Sequence, residues 1–341
     1  MSDILISNII SPAVLVFMLG LAASLLKSDL AVPKGLSDSL SIYLLLAIGL
    51  KGGIELSKYP VTELVKPLLG GVLLGCFIPL VTILFLLKRN IDEYHAVAIA
   101  ATYGSVSIVT YGAGADFLQG TGVPYEGFMS AVVAVMEVPA IMISLMVLNA
   151  FKSGTSTGKQ ASSATFHSRW IPVSMKHVDL RIVRETLISK SILLLLGGLL
   201  IGWACGVEAR SVIQPLFIDL YRGVLILFLL TMGIVCGAQL REAGTKNSAL
   251  IGFALLAPLV YGLLGVLCGK WTGLSLGGAA LMGVLSGSAS YIAAPAALRS
   301  AVPQANPSTY LGLALGITFP LNLSIGIPFN YFAAKLIYSI F

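Results

Sequence analysis

Charge is what this chain has least of. Only 11% of its 341 residues are Asp, Glu, Lys or Arg, against 57% hydrophobic. So few charges cannot cover a soluble domain of this length, and the bilayer is the expected solvent. Histidine is scarce as well: His95, His167 and His177 stand in or near polar connections, with no ligand spacing between them. The four cysteines, Cys76, Cys205, Cys236 and Cys268, lie in apolar runs, and none belongs to a CxxC. A disulfide framework or a Cys/His metal centre is therefore not expected. No nucleophile–base pair stands out, which argues against an enzyme, and no cofactor is expected. The opening MSDILISN lacks the basic start of a secretory signal, so the first apolar run reads as a retained span. The formal net charge of +6 fits basic cytoplasmic loops rather than a nucleic-acid interface.

What the chain does have is apolar runs of membrane-spanning length. Ten spans are expected, at roughly 6–26, 38–57, 64–87, 92–112, 124–151, 187–207, 213–239, 247–269, 273–299 and 306–338. The intervening 152–186 is different: KSGTSTGKQASSATFHSRW is rich in Ser, Thr and Lys and reads as a polar linker. With the N-terminus outside, Lys and Arg favour the inside connections by about two to one. That puts both termini outside and the linker in the cytoplasm, in a multi-pass protein of the cell (inner) membrane.

The two halves resemble each other at an offset that stays near 180 residues. LLAIGLKGGIEL (45–56) matches LLTMGIVCGAQL (229–240), TYGSVS (102–107) matches LSGSAS (285–290), and MEVPAI (136–141) matches ITFPLN (317–322). The repeat units are 1–151 and 187–341. Each holds five spans, an odd number, so the second copy enters the membrane from the opposite side. The expected fold is all-α: ten transmembrane helices as two inverted five-helix repeats, the arrangement of many secondary transporters. A channel or uncoupled facilitator is the alternative.

The fourth span of each half carries Gly-Ser-small-Ser: Gly104, Ser105, Val106 and Ser107, then Gly287, Ser288, Ala289 and Ser290. Glycine weakens a helix, serine offers hydroxyls, and Pro295 removes an N–H one turn later. Each motif reads either as a packing surface or as a broken helix lining a wet site. Two breaks crossing near the midplane would aim positive half-helix ends at an anion, while freed carbonyls would suit Na⁺. Thr110 continues the first cluster. In the fifth span Glu137 lies two residues before Pro139, an ionisable group at membrane depth and so either an ion ligand or a capped structural acid. Its counterpart segment carries Thr318 and Asn322, which are hard oxygen donors. Lys51 reads as snorkelling to the outer interface.

At YGSVSIVT (103–110), VMEVPAI (135–141) and SGSASYIAAPAALRSAVPQANPSTYLG (286–312) the chain resembles the SbtA-type sodium-dependent bicarbonate transporters, over nearly its whole length. The resemblance implies crossing, broken fourth and ninth spans, a core domain and a gate domain, and a homotrimer. It implies Na⁺-coupled symport of HCO₃⁻, with Na⁺ as coupling ion, and a PII-like regulatory protein docking on the cytoplasmic side. The substrate-binding residues would be the two Gly-Ser-small-Ser motifs. The sodium-binding set would be Thr110, Glu137, Tyr291, Thr318 and Asn322. Cyanobacterial members carry Asp where this chain has Glu137 and Tyr291, so another small anion, such as a carboxylate, is the runner-up substrate.

Overall fold

The computed structural model describes residues 8–156, 184, 188, 190–242 and 247–340. Every regular element among them is helical: α1 (Pro12–Leu25), α2 (Lys34–Leu56), α3 (Val61–Lys88), α4 (Glu93–Gly104), α5 (Ile108–Gly120), α6 (Met129–Ser156), α7 (Lys190–Cys205), α8 (Tyr221–Glu242), α9 (Ser248–Trp271), α10 (Leu276–Ser286) and α11 (Ala293–Ala301). The last, α12 (Pro307–Ile340), contains two stretches of wider i→i+5 turns. Among the described residues seven segments are long and apolar enough to cross a membrane, and α1 and α10 are shorter apolar helices. One segment, Lys190–Arg241, has 52 residues and holds both α7 and α8. At 1.5 Å per residue it would extend about 78 Å, more than twice a hydrocarbon core. Short helical turns of changing pitch, Gly206–Ala209, Arg210–Ile213 and Gln214–Asp219, divide it.

The ends are set locally. Ser11, Asp92, Ser107, Asn247, Ser275 and Asn306 each cap a helix with a side-chain oxygen, which satisfies N–H groups that a helix start leaves free. Asn306 also donates its own N–H to His95 Nε2 (3.2 Å), tying the ANPS segment to the start of α4. Pro328 withholds the N–H that would bond Ser324, and Asn8 Nδ2 donates to that carbonyl and to Leu323 O instead.

Two expected boundaries shift. The fourth span continues past residue 112 to Gly120, because α5 is buried. Its Gly112 and Gly114 are close-packing positions, against Tyr221 and Val284, rather than a stop. The seventh helix begins at Tyr221 instead of 213. The polar linker 152–186, with His167 and His177, lies almost wholly outside the described residues.

The helices pack in two groups. In one, α1 lies along α8 and α2 along α7, the most extensive helix pairings in the molecule. In the other, α3 packs on α4 and α6, and α9 on α10 and α12. The first group is glued by small residues. A Cβ at Gly49 would sit 2.6 Å from Leu195 O, and one at Gly53 2.1 Å from Leu199 O. Across α1–α8, Gly233 would meet Phe17 O at 2.1 Å, and Gly237 would meet Ser24 Cβ at 2.6 Å. In lipid, where burial of apolar surface gives no drive, such backbone approach is what holds helices together. Leu69, Leu73 and Phe77 on α3 and Leu256 and Val260 on α9 are exposed, as lipid-facing positions are.

Gly53→Leu would push a side chain into the α7 backbone, whereas Gly197, also on α7, has nothing within 4 Å of an added Cβ. Gly53→Leu is expected to abolish a monodisperse folded peak on size exclusion, Gly53→Ala to cost about 1–3 kcal/mol by overpacking, and Gly197→Leu to match wild type in thermal melts.

Candidate ion-binding site

The two Gly-Ser-small-Ser motifs are the gaps between half-helices. α4 ends at Gly104 and α5 begins at Ile108, with Ser105 and Ser107 extended. α10 ends at Ser286, and α11 starts again at Ala293. Both glycines are there because another chain segment comes close. A Cβ on Gly104 would lie 2.2 Å from Pro79 Cγ, and one on Gly287 would lie 2.3 Å from Pro258 O. Pro79 and Pro258 were not singled out from the sequence. The readable signal was FIPLV (77–81) against LAPLV (256–260), again at an offset of about 180 residues.

The gaps satisfy each other. Ending α4 leaves Thr102 O without its helical donor, and Ser290 N donates to it at 2.8 Å. In the reciprocal position, Ser107 N donates to Ser288 Oγ (2.9 Å), which in turn donates to Leu285 O (2.7 Å). One hydroxyl thus relays what is a direct backbone bond on the other side. Ser107 and Ser290 are also equivalent caps: their hydroxyls accept from Thr110 N (3.1 Å) and Ala294 N (3.2 Å).

Beside this cross-link lies a cavity of ≈ 10 Å³, about the room one water molecule needs. Its polar lining is Ser107, Glu137, Ser191, Ser290 and Tyr291, with Leu45 among its apolar walls. Ser191 and Leu45 belong to α7 and α2, so the cavity sits on the seam between the two helix groups. Glu137 is 6% exposed, and among the described residues no hydrogen bond or ion pair reaches its carboxylate. Burying a lone carboxylate is costly. A carboxylate beside three serine hydroxyls and a tyrosine is a hard oxygen set that would accept Na⁺. Among the described residues no three His, Cys, Asp or Glu group as metal ligands.

The other expected site residues are placed elsewhere. Thr110 donates through N and Oγ1 to Ser107 Oγ, behind the cavity wall. Thr318 Oγ1 donates to Ala254 O (2.9 Å), the carbonyl that Pro258 cannot bond, and accepts from Tyr103 O–H (2.6 Å). Asn322 Nδ2 donates to Gly287 O (2.9 Å), closing the end of α10. Both hold the breaks in shape and neither lines the cavity. Val106 lines it, whereas Ala289, Ser288 and the two glycines form the cross-linked backbone behind it. Ser105 is fully buried, and its hydroxyl has no partner among the described residues. Ser191 was not expected, and nothing in SKSILLLL (189–196) marks it.

The repeat-equivalent serines should therefore differ. Ser288→Ala strands the buried Ser107 N–H, costing about 1–3 kcal/mol, and should lower the melting temperature of the ligand-free protein. Ser105→Ala removes an already unpartnered hydroxyl and should leave that temperature unchanged. Equal losses would mean that Ser288 makes no cross-link.

No curated protein matches the chain. The description of the Na⁺-dependent bicarbonate transporter superfamily matches residues 12–335. With apolar helices of spanning length and a match over nearly its full length, this multi-pass membrane protein belongs to the Na⁺-dependent bicarbonate transporter superfamily.

Proposed function

We propose that the chain carries bicarbonate into the cell by Na⁺-coupled symport with alternating access. The observation that carries this reading is the unpartnered Glu137 carboxylate, facing a water-sized cavity where two helix breaks and two helix groups meet. Na⁺ is assigned to that cavity, with Glu137 supplying charge and Ser107, Ser290 and Tyr291 supplying oxygens. Bicarbonate is larger than a water molecule, so its place is beside the cavity, on the break backbone and the free Ser105 hydroxyl, and it opens as the helix groups separate. Na⁺ bound first would neutralise Glu137 and make the site receptive to an anion. Coupling is also needed energetically: an anion entering against an inside-negative potential loses about 2.3 kcal/mol per 100 mV, which one Na⁺ cancels.

Several arguments support two inverted five-span repeats, 1–151 and 187–341, joined by the cytoplasmic 152–186 linker. α1 on α8 and α2 on α7 exchange under the repeat. So do Gly104 against Pro79 and Gly287 against Pro258, and the caps Ser107 and Ser290. The α1, α2, α7, α8 group takes the gate role and the remaining spans the core. Both termini are assigned to the outside and the protein to the inner membrane on its Lys/Arg bias. The homotrimer and a PII-like regulator rest on family resemblance.

In proteoliposomes, labelled bicarbonate should accumulate with Na⁺ outside and not with K⁺, and a Na⁺ ionophore should abolish accumulation. Glu137→Gln keeps shape and loses charge; the Na⁺ concentration for half-maximal uptake should rise about tenfold or more, the scale of one charge-assisted contact. Equal uptake in K⁺ would indicate a facilitator. Competition by acetate as strong as by bicarbonate itself would indicate a carboxylate carrier.

A further inference from the structure

A second cavity, of ≈ 470 Å³, lies in the same seam and is far larger than the first. It opens one helical turn beyond the ion cavity on two separate elements. On α2, Leu45 lines the small cavity and Ile48 the large one; on α5, Ile108 lines the small and Tyr111 the large. A path between them is thus a matter of one turn, about 5 Å. The large cavity lies toward the ends of α2 and α5, the outer face under the proposed orientation.

Its charges do not cancel. Lys51, Arg210 and Arg222 face Glu55 and Asp116 across it. Arg222 is taken up by Asp116, at 2.7 Å. Glu55 is shared between Lys58 (2.7 Å) and Arg210 (3.8 Å). No carboxylate among the described residues comes within ion-pair distance of Lys51. Next to it, Gly52 is pressed against Ser130: a Cβ there would sit 1.5 Å from Ser130 Oγ. Ser130 is 1% exposed, lines this cavity, and its hydroxyl has no partner. An ammonium without an ion pair among the described residues and an orphaned hydroxyl, with a guanidinium 3.8 Å from a carboxylate it shares with Lys58, make a donor-rich pocket. A concave, positively biased wall concentrates anions.

We propose that this vestibule is a distinct, Na⁺-independent binding site for a small hydrated oxyanion of the bicarbonate class, held by Lys51, Ser130 and Arg210. It rests on the reading of the chain as a bicarbonate carrier, and it loads the anion before dehydration and passage to the crossing breaks. Lys51 is then a substrate ligand, and the snorkelling expected of it from the sequence is incomplete: its ammonium faces the vestibule.

The test is calorimetric titration of the purified full-length protein with bicarbonate in Na⁺-free choline buffer. Wild type should bind. Lys51→Gln should weaken binding about tenfold or more, Lys51→Arg should restore most of it, and Ser130→Ala should weaken it by a smaller factor. Gly197→Leu, at a position that lines neither cavity, should bind as wild type. In vesicles, Lys51→Gln should raise the bicarbonate KM and leave the Na⁺ half-saturation unchanged. Wild-type affinity in both Lys51→Gln and Ser130→Ala, or no Na⁺-free binding by wild type, overturns the proposal. Failure of the transport reading looks different: no Na⁺-dependent accumulation by wild type, with the Na⁺-free binding intact.

Discussion

A peptide group in the bilayer interior has no water to bond to, and everything at the centre of this molecule follows from that. Two broken helices interrupt their own hydrogen bonding within buried, apolar packing. They are tolerated because each break supplies what the other lacks: Ser290 N finds Thr102 O, and Ser107 N finds the Ser288 hydroxyl. For these bonds to form the segments must approach closely, which is why Gly104 and Gly287 stand against Pro79 and Pro258. The prolines in turn create their own deficits. Pro258 frees Ala254 O, and Thr318 is spent on satisfying it. Among the described residues the groups left unsatisfied include the Glu137 carboxylate and the Ser105, Ser130 and Tyr291 hydroxyls, and Glu137, Ser130 and Tyr291 line the cavities of the seam.

The seam joins two different kinds of packing. The α1–α8 and α2–α7 pairs touch backbone to backbone through glycine. The second group is pinned internally by buried polar contacts such as Thr82 with Tyr261 (2.8 Å) and Tyr103 with Thr318. Two internally coherent bodies with a cavity between them can shift relative to each other without breaking either, the mechanical requirement of alternating access. The Arg222–Asp116 ion pair spans the seam at the vestibule and is the one described polar link there that such a shift would have to break.

Much of the centre was legible in the sequence because repetition marks it. The duplicated Gly-Ser-small-Ser segments and the proline-flanked Glu137 are local patterns, and Ser107, Ser290 and Glu137 from them line one cavity. Thr318 and Asn322 were legible as polar groups but not by partner: a hydroxyl or amide in an apolar run signals an unmet bond somewhere, and only the fold shows Thr318 on Ala254 O, the carbonyl that Pro258 releases, and Asn322 on Gly287 O. The fourth span ends at Gly120 instead of 112, and nothing in the sequence shows that Tyr221 and Val284 press on Gly112 and Gly114. Ser191 and the Ser130–Gly52 contact join residues from distant helices, and hydropathy carries no trace of such pairings.

The central claim is that the cavity between the breaks, and not the oxygen-rich face of α12, holds the coupling ion. High-resolution structures of the protein in lipid, one in Na⁺ and one in K⁺, test it most directly. A density present only in Na⁺, in contact with the Glu137 carboxylate and the Ser107 and Ser290 hydroxyls, is the predicted result. An ion bound instead at Thr318 or Asn322, with Glu137 uncoordinated, would contradict it.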